Sequence, residues 1–266
     1  MRLPFQQIDA FADRPFTGNP AAVMPLDAWL DDATLQAIAA EHNLSETAFL
    51  VARTDTAEAD YDLRWFTPTT EVAMCGHATM ASGHFILGRE PGREHVRFAT
   101  RQAGVLEVRR DGARLALSLP ALGPLPADVP GLAAALGKAP QAILARGEDY
   151  LVAVYETEAE VRALRPNFRA LAALKGGDVL AIATAPGEHS DIVCRAFAPG
   201  AGIDEDPVTG SAHAVIVPYW AARLGRNALS AHQASARGGD LHCLLADDRV
   251  ILSGTCVTVV EGILLL

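Results

Sequence analysis

The sequence predicts an α+β protein of two lobes, each folded around one wrapped central helix. Three observations point there. Strand-like stretches are interleaved with few helical ones, and each half holds one segment that is apolar nearly all round, the pattern of a helix covered on every side. Between the halves lies PALGPLPADVPG, positions 120–131, whose four prolines and two glycines are expected to leave no strand or helix intact. That break sets the expected lobes at 1–119 with 256–266, and 120–255.

The elements follow in order. PFQQIDAF reads as a strand, TGNP as a turn and AAVMPL as a second strand. Asp31 or Asp32 is placed to cap a helix in which Leu35, Ile38, Ala39 and His42 recur at helical spacing. Asn43, which tolerates left-handed backbone, ends it. TAFLVAR and YDLRWF are strands, and the first central helix runs from 77 to 87 and stops at Gly88. HVRFAT, GVLEVRR and RLALSL form an antiparallel meander. Past the break come a short helix at 132–136, strand YLVAVY, a helix near 168–174, and strands VLAIAT and DIVCRAF. The second central helix, SAHAVIVPYWAARLG, and further strands close the chain, with Pro218 expected to kink that helix or to lie near its start.

Composition removes several classes of function. Half of the 266 residues are hydrophobic and a fifth charged, which is enough for one large domain or two smaller ones with cores. The 22 basic and 32 acidic residues leave a net charge of −10 and no basic stripe, so neither nucleic acid nor an anionic membrane is an expected partner. No stretch has the length of a membrane span, and MRLPFQQIDAFADRPF lacks the apolar core of a signal peptide. Cys75, Cys194, Cys243 and Cys256 show no CxxC or zinc spacing, which suits a reduced, cytoplasmic protein. The sequence has no GxGxxG opening a helix, no GxxxxGK[ST] and no HExxH, so nucleotide and metal chemistry are not expected.

A repeat lies across the halves. RWFTPTTEVAMCGHATMASGHFILG and RAFAPGAGIDEDPVTGSAHAVIVPYWAARLG share one order: strand, Phe-x-Pro turn, loop, glycine, buried helix. Phe66 and Phe197 are 131 positions apart and Gly76 and Gly210 are 134 apart, so the second copy carries three extra loop residues. Each helix enters through its glycine, followed by His77 in one copy and Ser211 in the other. Helix N-termini offer unpaired N–H groups and partial positive charge, and glycine admits a ligand close to the backbone. A small carboxylate is the expected ligand. The bland alternative is that both glycines only ease tight turns. A two-thiol racemase would need a cysteine before each glycine, but Cys75 is matched by Thr209, which cannot act as the second acid or base.

DAFADRPFTGNPAAV, NLSETAFL, LRWFTPTTEVAMCGHAT and FAPGAGIDEDPVTGSAH together resemble the PhzF family of phenazine-biosynthesis-like isomerases, relatives of diaminopimelate epimerase. The resemblance implies two pseudo-symmetric lobes, each a curved antiparallel sheet around a central helix, with the active site in the cleft between them. It also implies a cofactor-free isomerase, usually a homodimer. The family's acid/base glutamate falls on Glu46, its cleft histidine on His77 and its second-lobe aspartate on Asp206. Ser45, Gly76, Gly210 and Ser211 are the expected substrate-binding positions.

The same residues have a physical reading. Leu44, Ala48, Phe49 and Leu50 flank Glu46 and could desolvate it as a recycling base requires. A helix start would depress the pKa of His77 and keep its ring neutral. His84, about 10 Å further along the helix, reads as a core or surface residue. Asp206 precedes a proline, and its own backbone, held extended for that reason, could aim it at a ligand, while Asp204 and Glu205 read as solvated loop charges. Ser211 either contacts the ligand or caps its helix. The expected function is a cofactor-independent isomerase moving a proton on a small carboxylate-bearing metabolite; the competing class is a non-catalytic binding or interaction protein on the same scaffold.

Overall fold

Strands dominate the computed structural model, which describes residues 1–54, 58–177 and 179–266. The chain divides into two units, Met1–Ser118 with Ser253–Leu266, and Leu119–Leu252. The first unit runs β1 (Arg2–Ala10), β2 (Asn19–Leu26), α1 (Asp32–His42), β3 (Glu46–Ala52), β4 (Tyr61–Phe66), β5 (Glu71–Val72), α2 (Gly76–Arg89), β6 (His95–Thr100), β7 (Val105–Asp111) and β8 (Arg114–Pro120). Asp31 caps α1 by accepting from the Thr34 N–H at 2.9 Å, and Asn43 ends it with φ 48°. Both ends are where side-chain chemistry puts them.

α2 is the central helix of this unit. It is buried from Gly76 through Gly83 and again at Phe85, Ile86 and Leu87, and each large apolar side chain contributes roughly 2 kcal/mol. Its buried hydroxyls bond back to the preceding turn, Thr79 to the Cys75 carbonyl at 2.6 Å and Ser82 to that of Ala78 at 2.7 Å. Packing is tight enough that a Cβ on Gly83 would sit 2.4 Å from Val108 on β7. The helix does not stop at Gly88, as the sequence suggested, but continues to Arg89. On the opposite face of the strands, Phe49 and Phe66 join Leu35 and Ile38 of α1 in a second cluster.

The second unit runs β9 (Leu125–Pro126), α3 (Leu132–Leu136), β10 (Ala142–Arg146), β11 (Tyr150–Val154), α4 (Glu158–Ala163), α5 (Phe168–Ala172), β12 (Leu180–Pro186), β13 (Ile192–Ala198), β14 (Ile203–Asp206), α6 (Gly210–Leu224), β15 (Ala228–Gln233), β16 (Gly239–Ala246) and β17 (Arg249–Gly254). β18 (Cys256–Leu265) returns to the first unit and pairs with β1. The short β9 corrects the expectation that no strand survives in 120–131: Leu125 and Pro126 pair with β10. Pro218 sits inside α6, where it cannot donate to the carbonyl of Ala214. That carbonyl accepts instead from the Leu122 N–H at 2.9 Å, so the Pro-rich segment takes up the bond the helix loses.

The two units share one pairing order. In the first, β1–β2 is antiparallel, β2–β3 parallel, β3–β4 and β4–β5 antiparallel, β4–β6 parallel and β6–β7 antiparallel. In the second, β10–β11 is antiparallel, β11–β12 parallel, β12–β13 and β13–β14 antiparallel, β13–β15 parallel and β15–β16 antiparallel. The class is α+β with two matched lobes, but each sheet is mixed rather than purely antiparallel. The parallel pairs arise where a helix intervenes between the strands, since parallel neighbours need such a crossover.

Candidate active site

Strand alternation decides which residues meet the central helix. Thr47 and Phe49 share one face of β3 with the α1 cluster, so Glu46 and Ala48 take the other. Glu46 is buried at the start of β3, beside Ala21 of β2. Ser45, half-buried, precedes it. His77, the second residue of α2, is also buried, and its Nε2 lies 3.1 Å from Glu46 Oε2. Among the described residues neither of these two atoms makes an aligned hydrogen bond. Buried polar atoms left so are rare and call for a reason. A carboxylate oxygen and a ring nitrogen side by side, each with capacity unspent, suit a reacting group that needs both.

The far side of the ring is held. Nδ1 lies 3.1 Å from the side-chain nitrogen of Asn19, at the start of β2, and 3.5 Å from Cys75 Sγ. Burial works against a charged ring, while the Cys75 sulfur and the Glu46 carboxylate work for it, and the balance lifts the His77 pKa well above the ordinary imidazole range. The sequence expectation of a depressed value is not met, because the Cys75 sulfur and the Glu46 carboxylate together outweigh the burial that lowers it. Burial, with Glu46 adding to it, pushes the Cys75 thiol up to about 11, so Cys75 is no ready thiolate nucleophile.

Spacing along the chain gave no metal cluster, yet folding brings donor atoms of Glu46, Cys75 and His77 within 4.8 Å of one another. Holding an ion there would require the buried Cys75 thiol to lose its proton and Glu46 and His77 to give up their contact with each other.

In the second unit the turn entering α6 is equally constrained. Asp206 ends β14, buried, and accepts from the Thr209 hydroxyl. Gln233, wholly buried at the end of β15, donates to the Asp206 carbonyl at 2.7 Å and to the Thr209 hydroxyl at 3.1 Å, and accepts from the Thr209 N–H at 2.8 Å. Ser211 is not the cap of α6; Thr209 holds that position without a side-chain cap bond, as Cys75 does before α2. Ser211 bonds instead with the Tyr150 hydroxyl. Glu205 is not a solvated loop charge: it grips Arg195 with both oxygens, at 2.7 and 2.8 Å. Sequence reasoning missed Asn19, Tyr150 and Gln233.

The repeat extends to this ion pair. Arg64 grips Glu71 in the first unit at 2.8 and 2.7 Å, and the offsets to Arg195 and Glu205 are again 131 and 134. Both guanidinium carbons lie 5.0 Å from a phenylalanine ring, Phe66 in one unit and Phe197 in the other. Register then fixes the remaining equivalences. Thr47 pairs with Phe66 and Ala181 with Phe197, so the counterpart of Glu46 is Leu180. Trp65 pairs with Val72 and Ala196 with Asp206, so the counterpart of Asp206 is Val72. The frame and its arginine–glutamate pair are duplicated; Glu46 and Asp206 are not.

The protein is thus of the α+β class with a duplicated frame and a buried carboxylate–imidazole pair at the entry of one central helix. The chain belongs to the PhzF family: the family described as phenazine biosynthesis-like protein matches residues 8–262. It is 50% identical over 267 residues to an uncharacterized isomerase of Pseudomonas aeruginosa, covering 99% of each chain. A crystal structure of a PhzF-family protein from Enterococcus faecalis superposes with TM-score 0.91 at 42% identity, covering both chains in full. A hydroxyproline epimerase from Agrobacterium vitis shares the fold alone, with TM-score 0.63 at 10% identity over 98% of this chain and 92% of the other. Family and fold support an isomerase-type function.

Proposed function

We propose that the chain is a cofactor-independent isomerase that moves a proton between two carbons of a small carboxylate-bearing metabolite. The observation that carries this reading is the buried contact of Glu46 Oε2 with His77 Nε2, with neither atom spent on an aligned hydrogen bond. Glu46 as carboxylate takes a proton from an acidic C–H of the substrate. The electron pair left behind delocalises onto a substrate oxygen, to which the proton-bearing His77 ring donates. Glu46, now the acid, returns the proton to a second carbon. Because Leu180 stands at the position equivalent to Glu46, one base does both transfers, and the proton leaves and arrives on one face. Asp206 is assigned by the family resemblance to accept a hydrogen bond from a substrate amine or hydroxyl. The N-terminus of α2, at Gly76 beside His77, is the proposed carboxylate contact.

The test is an NMR screen of cyclic and amino-acid-derived carboxylates in deuterated water. A substrate turned over by the wild type is expected to lose turnover at least about a hundredfold with Glu46→Gln while still binding. Wild-type rates in that variant would overturn the role of Glu46, and binding with no turnover of any carboxylate would favour a non-catalytic binding protein.

A further inference from the structure

The two arginines of the repeat spend their donors differently. Arg195 commits Nε and Nη2 to Glu205, and its Nη1 donates to the carbonyls of Val161 and Leu164 at 3.2 and 3.0 Å. Arg64 commits Nε and Nη2 to Glu71, with Asp32 also at 2.8 Å from Nη2, but among the described residues its Nη1 has no acceptor. This guanidinium lines a cavity of about 260 Å³ within the first unit, together with Trp29, Arg53, Asp62, Thr100 and Arg101.

Three guanidiniums on one small cavity are unusual in a chain of net charge −10. Among the described residues, the carboxylates nearby do not exhaust the donors of Arg64 and Arg101. Glu71 is shared, since it also accepts from Arg101 Nη1 at 3.0 Å. Asp32 lies 3.8 Å from Arg101 Nη2 and is 69% exposed, so water competes for it. Asp62 is taken by Arg53. Arg64 and Arg101 each carry five N–H donors in a planar fork, more than Glu71 and Asp32 use. The Trp29 ring lies 5.2 Å from the Arg64 guanidinium carbon, which steadies the plane of the fork and gives the cavity one apolar wall.

We propose that this cavity is a second ligand site, separate from the Glu46–His77 pair, that takes a small oxyanion, a carboxylate or a phosphate. The anion accepts from Arg64 Nη1 and draws Arg101 onto its remaining oxygens, the forked geometry that guanidinium and oxyanion share. The volume lies just below that of pockets for drug-sized ligands and fits an anion on a body of a few heavy atoms.

The experiment is isothermal titration calorimetry of the full chain, in chloride at fixed ionic strength, with inorganic phosphate and, separately, benzoate. Saturable binding of at least one is expected, weakened tenfold or more by Arg101→Met and abolished by Arg101→Glu. Both variants change a side chain that is 54% exposed, so circular dichroism should stay that of the wild type. Phosphate alone would assign a phosphate site, and benzoate alone a carboxylate site. Absence of saturable binding by either anion, or binding that both variants retain at full strength, would overturn the proposal.

Discussion

Asn19 and His77, 58 positions apart, meet with the amide nitrogen of one 3.1 Å from Nδ1 of the other. The amide nitrogen serves a neutral ring, whose proton then sits on Nε2 beside Glu46; after a half-turn, the amide oxygen serves an imidazolium. Asparagine can therefore follow the ring through a protonation cycle. Aspartate cannot, because it only accepts when ionised. Asn19→Asp is expected to raise the His77 pKa further, by about one unit or more. The check is imidazole nitrogen NMR across a pH series. An unchanged His77 midpoint would mean that Asn19 does not govern the ring.

The candidate residues were legible where their signal was local. Glu46, His77 and Asp206 sit in short motifs, and Gly76 and Gly210 stand at matched positions before apolar helices. Asn19 was not legible as a site residue, because TGNP reads as a turn and nothing in the chain says that β2 will run beside β3. Gln233 lay hidden for the same reason, its partners 24 and 27 positions away on another element. The repeat was visible in Phe66 and Phe197, but the ion pairs two residues before them were not. Their spacings differ, 7 and 10, and a run such as DED looks solvated until its strand is placed. The parallel pairings escaped because residue patterns report which face is buried, not which way the neighbour runs.

His213 tests the second unit through pH. It is wholly buried on α6, and burial depresses its pKa to about 4 against 6.5 for a free imidazole. Between those values the unfolded chain binds a proton that the folded chain refuses, so stability rises with pH through that window. The contribution is present in full above about pH 6.5 and is lost as pH falls to about 4, an amount near 3 kcal/mol. His77, with its raised pKa, works in the opposite sense, its stabilisation full below the unfolded value and lost as pH rises through the folded one. His213→Asn removes the titration and keeps an N–H for the Thr209 carbonyl, which lies 2.8 Å from the ring. Urea unfolding should show the stability difference between wild type and variant shrinking by about 3 kcal/mol from pH 7.5 to 4. A difference constant across that range would show that His213 titrates normally.

The duplicated ion pair makes its own prediction, because the two partners are not equally buried. The Arg195 side chain is 11% exposed and that of Glu205 21%. Arg195→Met removes five donors at once, strands Glu205 and takes one donor each from the carbonyls of Val161 and Leu164, which keep the Leu164 N–H and Arg165 Nη1. Breaking a buried pair from the side that holds it together costs about 3–5 kcal/mol, whereas a more exposed carboxylate can turn to water. Glu205→Gln, which keeps an acceptor oxygen, is expected to cost about 1 kcal/mol. The double variant should therefore be more stable than the sum of the two single losses predicts, since the glutamine no longer leaves a stranded charge. Chemical unfolding of the four proteins gives the coupling directly. Strict additivity, or equal losses from Arg195→Met and Glu205→Gln, would show that the guanidinium does not organise the entry to α6.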